Sequence, residues 1–195
     1  LYIKDSFLKK GIACDQSLVA DDTTGKYVSI LQPDGNLYVA VCQDSCGKYI
    51  SVDYLESQTD YIKGFDILII DTNLESKTIQ WLIHFAKANQ KQLIIEPVSV
   101  SKAIKLAKLD LNGVFMLTPN EDELAAICAH DTLKEQLLAS LFERGVQTIW
   151  LRKGAEGSEW FTASQNLALS VPPIKIVDST GAGDAALAGW VFGYV

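Results

Sequence analysis

The sequence predicts an α/β protein with a mainly parallel central sheet and a small β hairpin near the start of the chain. Short, nearly continuous apolar runs predict the sheet, because such runs are typical of strands buried on both faces. These runs cover residues 65–70, 92–96, 113–117 and 147–151. Helical patterns lie between them, and strand alternating with helix forms βαβ units joined by right-handed crossovers.

The hairpin is predicted from two β-rich segments that flank a turn. Residues 26–32 and 37–42 are rich in Val, Ile, Leu and Tyr, and Pro33-Asp34-Gly35-Asn36 between them is a strong turn sequence. A short stretch at residues 17–20 is a candidate for a further strand. We therefore expect residues 17–42 to form an inserted β element outside the βαβ series.

The helices between the later strands are predicted from apolar residues at helical spacing, which place one apolar face on each helix. The two sets are Ile79, Leu82, Ile83 and Ala86, and Leu133, Leu137, Leu138 and Leu141. A parallel sheet binds its ligands beyond the carboxyl ends of the strands. The residues that carry function should therefore follow the predicted strands.

Composition narrows the class of protein. At 195 residues the chain is long enough for one domain with a substantial hydrophobic core. Hydrophobic residues make up 48% and charged residues 21%, which is ordinary for a globular protein. The 24 acids and 17 bases leave a net charge of −7, unlike the basic surface of a nucleic-acid-binding protein. No apolar run approaches the roughly 18 residues of a membrane span, so we expect neither nucleic acid nor membrane as a partner.

The cysteines and histidines suggest no metal or nucleophilic chemistry. The four cysteines lack the two close pairs of a zinc site, and we expect free, reduced thiols. The two histidines, His84 and His130, lie beside no candidate nucleophile, which argues against histidine-based catalysis. The sequence is compatible with a cytoplasmic location, which we expect.

The strongest pattern that carries chemistry is the glycine-rich turn over residues 177–186. The small residues Gly181, Ala182 and Gly183 leave room for a ligand, and their N–H groups can form an anion site at the start of a helix. Asp184 lies at the same place and could accept a proton from a hydroxyl held there. The helix from residue 185 onward is apolar almost all round, so we expect it to be buried. The alternative is a tight turn capped by Asp184.

Two further patterns follow predicted strands. In Thr118-Pro119-Asn120-Glu121-Asp122-Glu123, Asn120 and Glu123 have the spacing of a capping box. They could equally hold a phosphate oxygen and the water shell of a metal ion, and local sequence does not decide between the two. In Arg152-Lys153-Gly154-Ala155-Glu156-Gly157, two bases precede a glycine turn and could meet a polyphosphate. A solvated turn between strands explains them equally well.

These three patterns together resemble the ribokinase-type sugar and nucleoside kinases, the phosphofructokinase-B family. Asp178-Ser179-Thr180-Gly181-Ala182-Gly183-Asp184 resembles the second signature of that family. Thr118-Pro119-Asn120 with Glu123 resembles its Asn-x-x-Glu motif, and Gly154-Ala155-Glu156-Gly157 its nucleotide loop. Within the family, residues 24–27, 71–74 and 96–99 look most like pseudouridine kinases, which implies pseudouridine as the acceptor. Ribose or fructose, or a non-catalytic binding remnant of the family, are the alternatives.

The resemblance implies a ribokinase-like three-layer sandwich formed by residues 1–195, in which residues 17–42 are an inserted β lid. The family's first strand, with its Gly-Gly substrate motif, and the helices after the signature helix are not in this sequence. We therefore expect a fold that is incomplete at both ends. The resemblance also implies a small-molecule sugar or nucleoside as substrate, and it leaves open a homodimer formed through the lid.

The resemblance assigns a role to each motif. It implies ATP-dependent transfer of the γ-phosphate to a primary hydroxyl, with Mg²⁺ as the divalent ion and K⁺ as the candidate monovalent ion. Asp184 would be the catalytic base, and the residues Gly181, Ala182 and Gly183 would bind the transferring phosphate. The remaining residues are assigned to ATP (Asn120, Lys153, Gly154, Gly157, Thr180), to Mg²⁺ through water (Glu123), to the monovalent cation (Asp178) and to the acceptor (Thr24).

Overall fold

The computed structural model describes residues 2–33, 37–43, 46–128, 133–173 and 180–195. The chain divides into two compact units. The first unit runs up to residue 21 and continues from residue 46 to residue 171, and it holds the main sheet. The second unit comprises residues 22–45 and 172–195, and it holds the hairpin and the last helix.

The strands are β1 (Lys26–Leu31), β2 (Leu37–Gln43), β3 (Ile67–Asp71), β4 (Gln92–Glu96), β5 (Val114–Leu117), β6 (Thr148–Arg152), β7 (Ser158–Thr162) and β8 (Asn166–Leu169). The α-helices are α1 (Tyr2–Lys9), α2 (Val52–Ser57), α3 (Thr59–Lys63), α4 (Ser76–Ala88), α5 (Val100–Ala103), α6 (Glu121–Cys128), α7 (Lys134–Glu143) and α8 (Ala182–Tyr194). Short 3₁₀ segments cover Cys46–Tyr49, Ile104–Lys108 and Gly154–Glu156.

The main sheet has six strands in the order β3-β4-β5-β6-β7-β8, flanked by helices. Strands β3 to β6 are parallel, whereas β7 and β8 are added antiparallel. The four predicted strands and the mainly parallel sheet are confirmed, with boundaries that differ by at most two residues. The carboxyl ends of β3, β4, β5 and β6 therefore lie along one edge of the sheet, which we call the carboxyl edge.

A hydrophobic core joins the sheet to the helices of the first unit. The predicted apolar face of α4 is buried there, and Leu137, Leu138 and Leu141 of α7 are buried in the same core. Each fully buried aliphatic side chain contributes about 1.5–3 kcal/mol relative to leaving it exposed. Strand β3 departs from the prediction of strands buried on both faces, because Ile69 is 48% exposed. The reason is positional: β3 is an edge strand of this sheet.

The predicted hairpin is confirmed as an antiparallel pair, β1 with β2, in which Val28 lies opposite Val41. The predicted turn residues 34–36 lie outside the described residues. The candidate strand at residues 17–20 is wrong, because this segment has no strand conformation and pairs with no described strand. Whether the hairpin acts as a lid, or joins two copies of the chain, stays a prediction.

None of the four cysteines, Cys14, Cys42, Cys46 and Cys128, forms a disulfide in this structure. Within the described part of the chain, no helix has both the length and the apolar character needed to cross a membrane.

Candidate functional site

The carboxyl edge of the sheet gathers charged residues at the ends of three strands. Asp71, Glu96 and Arg152 are the last residues of β3, β4 and β6, and Asp71 lies opposite Glu96 in the β3–β4 register. The segment after β5 joins the same edge, because Asn120 forms an isolated parallel bridge with Arg152. Parallel strands place these residues together, which is the position expected for a ligand site.

Asn120 and Glu123 form a reciprocal capping box at the start of α6. The Glu123 N–H donates to Asn120 Oδ1 at 2.8 Å, and the Asn120 N–H donates to Glu123 Oε2 at 2.9 Å. The capping alternative is therefore confirmed as geometry. The capping box uses only the Oε2 oxygen and the backbone N–H of Glu123. The second carboxylate oxygen, Oε1, takes no part in the capping box, so capping and metal binding are compatible.

Glu123 is a buried carboxylate, 4% exposed. Burial raises the pKa of Glu123, the Asn120 N–H lowers it, and the nearby negative charge of Glu96 raises it further. A buried carboxylate needs compensation from positive charge or hydrogen bonds. The positive charge of Arg152 supplies part of this compensation, and a divalent ion held by Glu123 would add to it.

Glu96 is the centre of a polar network under this edge. Its Oε1 lies 2.5 Å from Arg152 Nη2, and its Oε2 accepts the Thr118 hydroxyl at 2.6 Å. The Arg152 and Glu96 side chains are only 17% and 14% exposed. The same Arg152 Nη2 lies 4.0 Å from Glu123 Oε2. Sequence analysis gave Glu96 no role, although an acid at the end of a buried strand was a signal that could have identified it.

The turn after Glu96 holds a backbone conformation that is rare for a branched side chain. Val98 has φ +68°, and the Ser99 N–H donates to the Pro97 carbonyl oxygen at 2.8 Å across it. The Val98 N–H donates to Glu96 Oε1 at 3.3 Å. Strained backbone of this kind persists where the surrounding structure requires it and is common at functional sites.

Replacing Val98 by Gly should raise the free energy of unfolding by about 0.5–1 kcal/mol, because relief of the positive-φ strain exceeds the backbone entropy lost. Gln90 is the matched control, since it also has a positive φ (54°) but lies away from the carboxyl edge. Urea denaturation should show a similar gain for Gln90→Gly. A lower stability of Val98→Gly would contradict the strain argument.

The glycine loop between β6 and β7 is closed by its own backbone and side chains. The Lys153 N–H donates to the Gly157 carbonyl oxygen at 2.9 Å. Lys153 Nζ lies 3.4 Å from both Glu156 Oε2 and Glu159 Oε1, and Lys134 Nζ lies 2.7 Å from Glu159 Oε2. Glu159 is the main reason that the pKa of Lys153 is raised. Neither Arg152 nor Lys153 is an uncompensated base, so a polyphosphate would have to compete with these carboxylates.

The two glycines of this loop differ. Gly157 has φ +90°, and a Cβ there would lie 2.0 Å from the backbone oxygen of Leu169 in β8. Gly154 has φ +56°, and no described atom lies within 4 Å of the position of its Cβ. The structure therefore gives Gly157 a packing reason to be glycine, whereas the space beside Gly154 is open for a ligand.

The glycine-rich turn belongs to the second unit, where it starts α8. Gly181 is the N-cap with φ +77° and provides no side-chain cap, and Asp184 is an exposed residue of the first turn. The helix begins at Ala182, three residues earlier than predicted, so the alternative of Asp184 as the N-cap is wrong. The first N–H groups of a helix have no partner within the helix and carry its positive dipole end. That geometry suits an anion.

The expectation that α8 is buried is wrong. Leu187 is its buried residue, whereas Phe192 is 88% exposed. The apolar composition of a helix leads to burial only where another surface covers the helix. The N–H groups at the start of α8, which have no partner within the helix and suit an anion, do not depend on burial of the helix.

The other predicted residues are placed as follows. Thr180 and Thr24 are exposed residues of the second unit, and Thr24 precedes β1. Asp178, the expected ligand of a monovalent cation, lies outside the described residues. The structure thus brings together Asn120, Glu123 and the glycine loop, while the turn of α8 and Thr24 belong to the other unit.

The residues at the carboxyl edge fit Mg²⁺ better than a transition metal. Among the described residues, no group of three or more His, Cys, Asp or Glu side chains could hold a metal ion by itself. Mg²⁺ does not need such a group, because it keeps several waters and is held by one or two carboxylates together with substrate phosphates. Glu123 meets that requirement.

Comparison with known proteins finds relatives over almost the whole chain. Residues 2–195 match the pfkB family of carbohydrate kinases. The chain is similar to the pseudouridine kinase of Escherichia coli (strain K12), with 26% identity over 195 residues, covering 95% of this chain and 61% of that protein. The chain thus spans about three fifths of that relative's length.

Solved structures show the same fold. A putative sugar kinase from Clostridium perfringens superposes with a TM-score of 0.79 at 21% identity, over 99% of this chain and 62% of that one. The ribokinase of Arabidopsis thaliana, complexed with ribose and ATP, gives a TM-score of 0.69 at 21% identity, over 88% of this chain and 56% of that one. The ribokinase-like sandwich expected from the sequence is therefore confirmed.

Proposed function

Because the chain belongs to the pfkB family of carbohydrate kinases, we propose that this protein transfers the γ-phosphate of ATP to the primary hydroxyl of a ribose-like sugar or nucleoside. The observation that carries the proposal is the family match over residues 2–195. The buried carboxylate of Glu123 at the carboxyl edge supports it, since phosphoryl transfer needs a metal held near the phosphates.

Pseudouridine is the acceptor that we propose first. The support is the 26% identity to a pseudouridine kinase, which extends over 95% of this chain. The relatives also include a ribokinase, so ribose is a comparison substrate, and fructose serves as a second free sugar.

In this proposal each group acts by position and charge. The N–H groups at the start of α8, from Gly181 to Gly183, bind the oxygens of the transferring phosphate. Asp184 orients the acceptor hydroxyl and receives its proton. Asn120 and the glycine loop at Gly154 bind the nucleotide.

Glu123 would hold Mg²⁺ through water, using Oε1, while Oε2 stays with the Asn120 N–H. When bound, Mg²⁺ neutralises charge on the phosphates. Thr180 and Asp178 are proposed for a monovalent cation such as K⁺, and Thr24 for the acceptor. These assignments follow the family motifs.

A coupled assay of ADP release, with pseudouridine, uridine, ribose and fructose as acceptors, tests the proposal. We expect the highest kcat/KM with pseudouridine. Activity with the free sugars alone would contradict the nucleoside assignment. ATP binding without phosphorylation of any acceptor would favour the non-catalytic binding protein instead.

Glu123→Gln should raise the Mg²⁺ concentration needed for half-maximal velocity by roughly 10- to 100-fold, the usual effect of an altered metal environment. The fold should survive, since Gln completes a capping box as Glu does. Removing a charge that burial disfavours also costs little stability.

A magnesium titration of activity and a thermal melt measure both effects. Glu121→Gln is the control, because Glu121 lies in the same first turn of α6 but is exposed. An unchanged magnesium response in Glu123→Gln would leave Glu123 as a capping residue only.

A further inference from the structure

Arg152 lies between two carboxylates and is held much closer to one of them. Its Nη2 is 2.5 Å from Glu96 Oε1 and 4.0 Å from Glu123 Oε2. Both carboxylates are largely buried, so water screens these charges weakly. A guanidinium at this position will pair closely with whichever carboxylate the surrounding contacts favour.

The contacts around Glu96 explain which carboxylate Arg152 prefers. The Thr118 hydroxyl donates to Oε2 of Glu96 at 2.6 Å, and the Val98 N–H donates to Oε1 at 3.3 Å. These donors fix the carboxylate at the end of β4, where it faces Arg152 at the end of β6. The backbone of Arg152 is fixed as well, because its N–H donates to the Pro119 carbonyl oxygen at 2.8 Å.

We propose that Glu96 is a positioning residue, which holds the Arg152 guanidinium on itself and so keeps the Glu123 carboxylate available to a magnesium–nucleotide complex. The inference rests on the proposed function, in which Glu123 holds Mg²⁺ through water. Without Glu96, the guanidinium can close the gap of 4.0 Å and pair with Glu123 directly. A cation bonded to Glu123 opposes a metal ion at the same carboxylate.

The proposal predicts the direction in which the magnesium response changes in each of three variants. Glu96→Gln should weaken the magnesium response, because it frees Arg152 to pair with Glu123. Glu96→Gln combined with Arg152→Gln should restore the response, because the competing cation is gone. Arg152→Gln alone should leave the response unchanged or stronger, because a negative charge near Glu123 is left unpaired. A residue that served only the stability of the fold would not produce a restoring double variant.

The test measures binding of the fluorescent nucleotide mant-ADP with Mg²⁺ and with EDTA, and takes the ratio of the two affinities. Closing the gap between Arg152 and Glu123 should reduce this ratio by about tenfold in Glu96→Gln, from Coulomb's law at the effective dielectric of a protein surface. The double variant should return to within about twofold of wild type. The Mg²⁺ concentration for half-maximal velocity is measured in parallel and should change in the same order.

The exposed pair Glu75 and Lys77, with Nζ 3.1 Å from Oε2, is the matched control, and Glu75→Gln with Lys77→Gln should leave the ratio unchanged. If Glu96→Gln does not fold, as its melting temperature would show, the Arg152→Gln variant still decides. A lost magnesium response in Arg152→Gln overturns the proposal. So does a double variant that stays as weak as Glu96→Gln.

The outcomes separate this inference from the proposed function. Acceptor phosphorylation by wild type, with a normal magnesium response in a folded Glu96→Gln variant, would overturn the role of Glu96 alone. A magnesium-dependent affinity for mant-ADP that follows the predicted pattern, without phosphorylation of any acceptor, would support the role of Glu96 and contradict the kinase assignment.

Discussion

Asp184→Asn should lower kcat by about 10²–10⁴, the usual contribution of a positioned general base. Asn is nearly isosteric but cannot accept the proton of the acceptor hydroxyl. Affinity for ATP should change little or rise slightly, because a negative charge near the bound phosphates has been removed. The measurement is kcat with the preferred acceptor, together with ATP affinity.

The fold should tolerate this substitution. Asp184 is exposed and is not the cap of α8, which is Gly181, so the loss is limited to its favourable interaction with the helix dipole, about 0.3–1 kcal/mol. Asp53 is the matched control, because it is an exposed acid in the first turn of α2. Asp53→Asn should show a similar small change in melting temperature and a normal kcat. Near-normal turnover in Asp184→Asn would remove Asp184 from the mechanism.

The parallel part of the fold could be predicted because burial on both faces leaves a strong pattern in the sequence. The run at residues 92–96 became β4 without any change of boundary, and the core of β4 is fully buried at Leu93, Ile94 and Ile95. The apolar face of α4 was predictable for the same reason. In both elements, the positions that pack in the core require apolar residues, and these residues form the pattern visible in the sequence.

The antiparallel strands β7 and β8 could not be predicted in this way. Strand β8 is exposed along its length, its apolar run of Leu167, Ala168 and Leu169 is too short to identify a strand, and it is defined by backbone pairing with β7. The start of α8 was misplaced for a related reason. Small residues at positions 181–183 fit a turn and a first helical turn equally well, and the backbone of Gly181 decides where the helix begins.

The candidate site shows the same division. The capping box was recognisable because its two residues are three positions apart in one segment. The contact of Glu96 with Arg152 was not, since the pair is separated by 56 positions and is joined only through the order of the strands. Spacing along the sequence identifies motifs within one segment. Contacts between charged residues of different segments depend on the order of the strands in the sheet.

Gly157→Ala should destabilise the protein by about 3–5 kcal/mol, because two costs act together. The added Cβ would lie 2.0 Å from the Leu169 backbone oxygen, which must move and strain the pairing of β7 with β8. The combination of φ +90° and ψ −135° adds about 1–3 kcal/mol, because essentially only glycine adopts this backbone conformation. Chemical denaturation measures the loss, and a stability near that of wild type would contradict this account.

Gly154→Ala separates packing from ligand binding in the same loop. Its φ of +56° costs about 1 kcal/mol, and no described atom obstructs the new methyl group, so the fold should be kept. If the open space beside Gly154 receives the nucleotide, the methyl group will occupy it, and the Kd for ATP should rise by at least about tenfold, as for other overpacked contacts. Titration with ATP after a thermal melt tests this directly. A normal Kd in a folded Gly154→Ala variant would exclude close approach of the nucleotide to Gly154, and the loop would then be explained by the packing of Gly157 alone.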